Sequence, residues 1–171
     1  MFTQHSLLRV FSTFILGLFL LTSCEKEVQV APTPIKNVPA KSFFASVDGI
    51  PFVDTVLWAI GDEAANTLEI NAYADGGYPK ISIKLPADIT AGSYELGSTQ
   101  TPHSATVDAG SGPNTLFVSD ATNGLSNIII TEHNTDDDYI IGTFEFYALP
   151  SWDPSLPGFL VTSGEFTVNY Y

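Results

Sequence analysis

Three neighbouring carboxylates, Asp136, Asp137 and Asp138, follow His133 and Asn134 between two strand-like runs. Carboxylate oxygens are what Ca2+ binds, about six to eight at a time, so this triplet is the candidate metal site and Ca2+ the one candidate cofactor. Consecutive residues on an extended chain point apart, and the spaced Asp-x-Asp-x-Asp-Gly pattern is missing, so a solvated turn is the expected role and the Ca2+ site the alternative. Trp152 and Asp153 form a candidate ligand site in the loop 149–158, which Pro150, Pro154 and Pro157 stiffen. A rigid indole there can stack on a sugar ring while the carboxylate binds a hydroxyl. It can equally plug the end of a core, which is the expected role, and Trp58 inside an apolar run is expected to be core as well. His103 has Ser104 and Asp108 nearby, the residue types of a hydrolytic triad, but closeness in sequence does not give triad geometry. Neither Gly-x-Ser-x-Gly nor His-Glu-x-x-His occurs. The 19 acidic residues allow many carboxylate pairs of the glycosidase kind and single out none. No catalytic residue is assigned, and an enzyme is not expected.

Composition narrows the partners. The chain has 171 residues, a net charge of -13 and only 15 % charged side chains. So acidic a surface repels phosphates, which excludes a nucleic-acid partner. Hydrophobic residues at 44 % suffice for a core, and the length suits one domain. Cys24 is the only cysteine, so no disulfide can close within the chain. It directly follows the uncharged run 10–21, which is too short to span a bilayer and right for a secretory signal. Leu21-Thr22-Ser23-Cys24 resembles the lipobox of bacterial lipoproteins. That resemblance implies a signal peptide over 1–23, cleavage before Cys24, a lipid on its sulfur and a membrane as partner. Glu25 and Glu27 directly after it resemble the surface-export signal of Bacteroidetes-type lipoproteins, which implies an outer-membrane address and an outward-facing leaflet.

The elements behind these residues are strands. Residues 24–41 contain Pro32, Pro34 and Pro39 and no apolar period, so they read as a tether. From Ser42 onward, period-2 alternation recurs in 43–48, 68–73, 81–85, 139–149 and 165–171. Shorter strands are expected at 56–60, 92–96, 115–119 and 126–132, with Gly, Pro, Asn and Asp between them. No window keeps a helical apolar period for three turns. The prediction is a single all-β domain over 42–171: an antiparallel β-sandwich of about nine short strands, with a closed β-barrel as the alternative.

Three stretches carry a further resemblance: Phe43-x-Ala45-x-Val47-Asp48-Gly49-x-x-Phe52, Gly92-x-Tyr94-x-Leu96, and Ile140-x-Gly142-Thr143-Phe144-x-Phe146 with Gly164-x-Phe166-x-Val168-x-Tyr170. Together they resemble small uncharacterised Bacteroidetes outer-membrane lipoproteins with one β domain, a likeness that implies a lipid-anchored fold and no catalytic residues. The Gly-x-Trp start of lipocalins is missing. The expectation is therefore a non-catalytic binding or structural module of the cell envelope, meeting a glycan or a protein partner. A secreted hydrolase working through acidic residues is the alternative.

Overall fold

A computed structural model describes residues 38–171. The signal segment, Cys24 and the tether as far as residue 37 lie outside the described residues. Residues 38–171 form one compact unit. Among the described residues the buried core lies between Phe43 and Val168 and the ten strands pair between Ser42 and Asn169, so this stretch carries a core of its own.

Ten strands follow in order: β1 (Ser42–Val47), β2 (Ile50–Asp62), β3 (Thr67–Ala74), β4 (Lys80–Leu85), β5 (Gly92–Glu95), β6 (Ser104–Asp108), β7 (Leu116–Ser119), β8 (Asn127–Asn134), β9 (Tyr139–Pro150) and β10 (Phe159–Asn169). All their pairings are antiparallel. Eight of them, β1-β2-β3-β4-β6-β7-β9-β10, form a ring, because β10 pairs with β9 on one edge and with β1 on the other. The all-β class holds, and of the two layouts the sequence allows, the closed barrel forms instead of the sandwich. Closing the ring removes the exposed edges that two stacked sheets would keep.

The inside is apolar. Phe43, Ile70, Ile81, Ile83, Val107, Ile140, Phe146, Phe166 and Val168 are fully buried, whereas Glu69, Lys84, Glu145 and Glu165 stand on the outer face. On β9 the buried side is Ile140, Gly142, Phe144, Phe146 and Ala148, the face that alternation predicts. Two of these positions use glycine for space. Gly142 faces Phe166 across the β9–β10 ladder, and Gly164 faces Phe144, so each ring lies over the opposite glycine. A Cβ on Gly142 would lie 2.7 Å from the Phe166 ring and 2.5 Å from the Ile129 carbonyl oxygen.

The wall forks along β9. Its edge pairs with β8 from Tyr139 to Glu145 and with β7 from Ala148 to Pro150. On the far side of the fork, β6 pairs with β7 and also bridges to Gly97, just after β5. Forking a ladder strands backbone groups away from water, and buried groups of this kind must find partners. Two buried serines supply them. Ser119 Oγ accepts from Ala105 N at 2.9 Å and donates to the Gly97 carbonyl. Ser126 Oγ donates to the Asp120 carbonyl at 2.7 Å and accepts from Tyr147 N.

Trp58 departs from expectation. Leu57 packs against the core and Ala59 is buried, so Trp58 between them faces outward, half-buried opposite Asn71. A register shift between Asp54 and Val56 resets the phase of β2 and turns Val56, Trp58 and Ile60 to the outside.

Candidate functional site at the barrel mouth

The turns after β1 and β3, the chain leaving β6 and the start of β10 meet at one end of the barrel, as alternate connections of an up-and-down ring must. There they surround a pocket of about 530 Å³. Its floor is Phe52 and Val107 of the core, and its walls are Val47, Ala74 and Phe159, which pack against that core. Ile50 and Val53 stand on the rim, 70 % and 65 % exposed. Pro51, Pro79 and Ala109 complete the apolar lining, and Asp48 and Asp75 are its two charged groups. The volume lies within the range of small-molecule sites, which are concave and mostly apolar.

The rim is held in place. Asp48 and Gly49 both have positive φ, 50° and 79°, forming the tight hairpin turn that joins Val47 to its pairing partner Ile50. Asp48 N donates to the Leu160 carbonyl and Asp48 Oδ1 accepts from Leu160 N, each at 2.8 Å, which pins the turn to β10. Phe159 extends the pocket wall outward as a row of edge-to-face rings: its ring centroid is 4.5 Å from Phe117, which lies 5.1 Å from Trp152.

Trp152 is thus neither a buried plug nor a free platform. It is 37 % exposed and lies edge-on against Phe117, next to the mouth but outside its lining. Asp153 is committed to its own loop, where Oδ1 accepts from both the backbone N–H (3.1 Å) and the hydroxyl (2.6 Å) of Ser155. Those two bonds, the hydroxyl first, hold its carboxyl below the usual carboxylate range.

Asp136, Asp137 and Asp138 form the turn between β8 and β9, organised by a neighbour. Asn134 Oδ1 accepts from the backbone N–H groups of Asp136 (3.0 Å) and Asp137 (2.9 Å). Asp138 has a positive φ of 55° and its carbonyl accepts from Tyr170 N. Among the described residues, no three His, Cys, Asp or Glu side chains are grouped so as to hold a metal ion. Beside this turn the Tyr139 hydroxyl donates to Glu132, and that hydrogen bond raises the phenol's pKa.

The histidines stand apart. His103 stacks on Tyr94 with centroids 4.9 Å apart, and burial lowers its pKa. Ser104 and Asp108 sit at opposite ends of β6, with Asp108 capping Gly110 N, so no triad assembles. His133 belongs to the end opposite the mouth. Its Nδ1 donates to the Ile89 carbonyl at 2.6 Å and its Nε2 lies 2.7 Å from the Tyr170 hydroxyl.

The pocket itself escapes sequence reading, because the hairpin 47–53 supplies half of its lining and the rest comes one or two residues at a time from four distant stretches. The available signal is parity: once strands are joined as a ring, Asp48-Gly49 and Asp75-Gly76-Gly77 must turn at the same end.

Residues 41–168 match the family model described as a domain of unknown function, DUF6252. The chain belongs to that family. No curated protein and no solved structure matches the chain.

Proposed function

We propose that this DUF6252 chain is a lipid-anchored binding module of the bacterial cell envelope, whose barrel mouth captures a small apolar molecule without chemically changing it. The observation that carries the binding part is the mouth pocket of about 530 Å³, floored by core side chains and rimmed by exposed Ile50 and Val53. Exposed apolar groups around a preformed cavity favour a ligand that removes them from water, by about 25 cal/mol for each Å² covered. A sugar needs convergent polar groups, and the lining offers mainly hydrocarbon, so an apolar ligand is preferred to the glycan. Catalysis by paired acids has less support, since Asp48 and Asp75, the two acids lining the pocket, stand on separate exposed turns and Asp48 Oδ1 is engaged by Leu160 N.

Anchoring rests on the sequence alone. Leu21-Thr22-Ser23-Cys24 after an apolar run supports a lipoprotein of the small Bacteroidetes outer-membrane kind, and Glu25 and Glu27 support its export to the surface. Each acyl methylene buried in a bilayer contributes about 0.8 kcal/mol, so two or more chains on Cys24 hold a domain stably.

The test uses residues 36–171 and the neutral dye Nile red. Saturable fluorescence enhancement is expected for the native domain, and its loss for Ala109→Trp, which places an indole over the opening while circular dichroism stays that of a sheet. Equal dye binding by the Ala109→Trp protein refutes the mouth as the site. For the anchor, Cys24→Ser is expected to abolish palmitate labelling and membrane retention of the full chain. A processed variant still held wholly in membranes refutes the lipid.

A further inference from the structure

We infer that the mouth pocket selects, among apolar ligands, those whose exposed end is cationic, a single-chain amphiphile with an ammonium head being the fitting class. This rests on the mouth being the binding site, and it adds the chemistry of the ligand's other end. The two charged groups lining the pocket, Asp48 and Asp75, are both carboxylates, and no Lys, Arg or His side chain lines it. Both residues are exposed, one on each of two turns that border the same opening. A hydrocarbon body lying on Phe52, Val107 and Phe159 therefore leaves its head between two negative rims.

The rest of the molecule works in the same direction. A net charge of -13 with six basic residues gives a field that concentrates cations at a low-dielectric opening and repels anions. Fatty-acid carriers face the reverse requirement, a fixed cation near the mouth for the carboxylate, and this lining supplies none. Asp48 is also preset for the task. Its Oδ1 is held by Leu160 N, so the carboxylate reaches its place without losing side-chain freedom when a ligand arrives.

The probes are dodecyltrimethylammonium, 1-dodecanol and dodecanoate, each below its micelle concentration, competing with Nile red on residues 36–171. A rim carboxylate a few ångströms from a head group attracts the ammonium and repels the carboxylate, so a preference of at least about tenfold for the former is expected at low salt. That preference should shrink as salt rises. In the double variant Asp48→Asn, Asp75→Asn it should fall to about one. Asparagine suits the positive φ of position 48 and still offers an oxygen to Leu160 N, so the turn survives the change. Equal binding of all three probes, or tighter dodecanoate binding, overturns the charge selection and leaves the apolar site standing. Persistence of the preference in the double variant also overturns it. Failure of every probe to bind a folded domain overturns the mouth reading itself.

Discussion

Ser119→Ala is the most direct probe of how the forked wall holds together. The hydroxyl is 2 % exposed at residue level and joins two backbone groups from different segments, Ala105 N and the Gly97 carbonyl. Removing it leaves a donor and an acceptor buried where water does not reach. An orphaned buried group costs about 1–3 kcal/mol, so two cost roughly 2–6 kcal/mol. Against a total stability of about 5–15 kcal/mol, that is a large share. Thr101→Val is the matched comparison. Thr101 Oγ1 lies 2.7 Å from both the Ser98 and His103 carbonyls, but Thr101 is exposed and water can replace it. Its loss should cost no more than about 1 kcal/mol. Urea unfolding of residues 36–171, read as midpoint shifts at constant slope, separates the two. A Ser119→Ala loss below about 1 kcal/mol, or equal losses in both variants, would refute the claim that burial of the fork makes its hydrogen bonds indispensable.

Trp152→Ala should cost about 1–2 kcal/mol, less than the roughly 3–5 of a core indole, because truncating a ring already 37 % exposed opens a dent to water, with no sealed cavity. A loss above 3 kcal/mol would restore the core plug. Gly142→Ala forces a methyl to within 2.5 Å of the Ile129 oxygen, so overpacking should lower stability by at least about 1–3 kcal/mol, and an unchanged melting midpoint would contradict the Gly–Phe packing. His103 should titrate below 6.5 when followed by NMR, because burial disfavours its charged form. The unfolded chain then takes the proton first, so this residue's contribution to stability falls as pH drops through 6.5 and levels off below the folded value; in His103→Gln that fall should vanish.

Local chemistry made much of the fold legible, and what escaped is non-local. Along β9 the alternation of Ile140, Gly142, Phe144, Phe146 and Ala148 identifies the buried face before any partner is known. Asp48-Gly49 likewise identifies its hairpin, since both residues tolerate the positive φ that the turn requires. The strand β6 is less visible, because Ala105 and Val107 are its only apolar residues between Ser104, Thr106 and Asp108. Closure depends on β10, which follows β9 directly, also finding β1 at the far end of the domain, a pairing that no local window of sequence contains. On β2 the apolar residues occupy both faces, so periodicity cannot tell Trp58 from core, and the register shift after Asp54 then exchanges the faces. Trp152 and Asp153 were visible as a stiff aromatic loop. That Asp153 serves its own turn, and that Trp152 meets the mouth only through Phe117 and Phe159, depends on contacts the sequence does not encode locally.

The two ends of the barrel divide the work between them. At the base, Tyr170 N bonds the Asp138 carbonyl, Tyr171 accepts from Gly61 N, and His133 joins Ile89 to Tyr170, so four distant segments are tied by directional bonds. At the mouth the pocket lining is mainly hydrocarbon, with the hairpin turn fixed to β10 from outside the opening. Side chains at the mouth can therefore change in size or charge without breaking the bonds that close the base, which suits a site whose ligand preference is set by a few rim residues. Chain direction adds to this. Ser42 pairs with Thr167 near the end of β10, whereas Val47 pairs with Val161 near its start, so β1 enters at the base and runs toward the mouth. A domain held through residues before Ser42 is gripped at its base. The opening with Ile50, Val53, Asp48 and Asp75 lies at the other end from Ser42, and β1 reaches its wall only with its last residue, Val47.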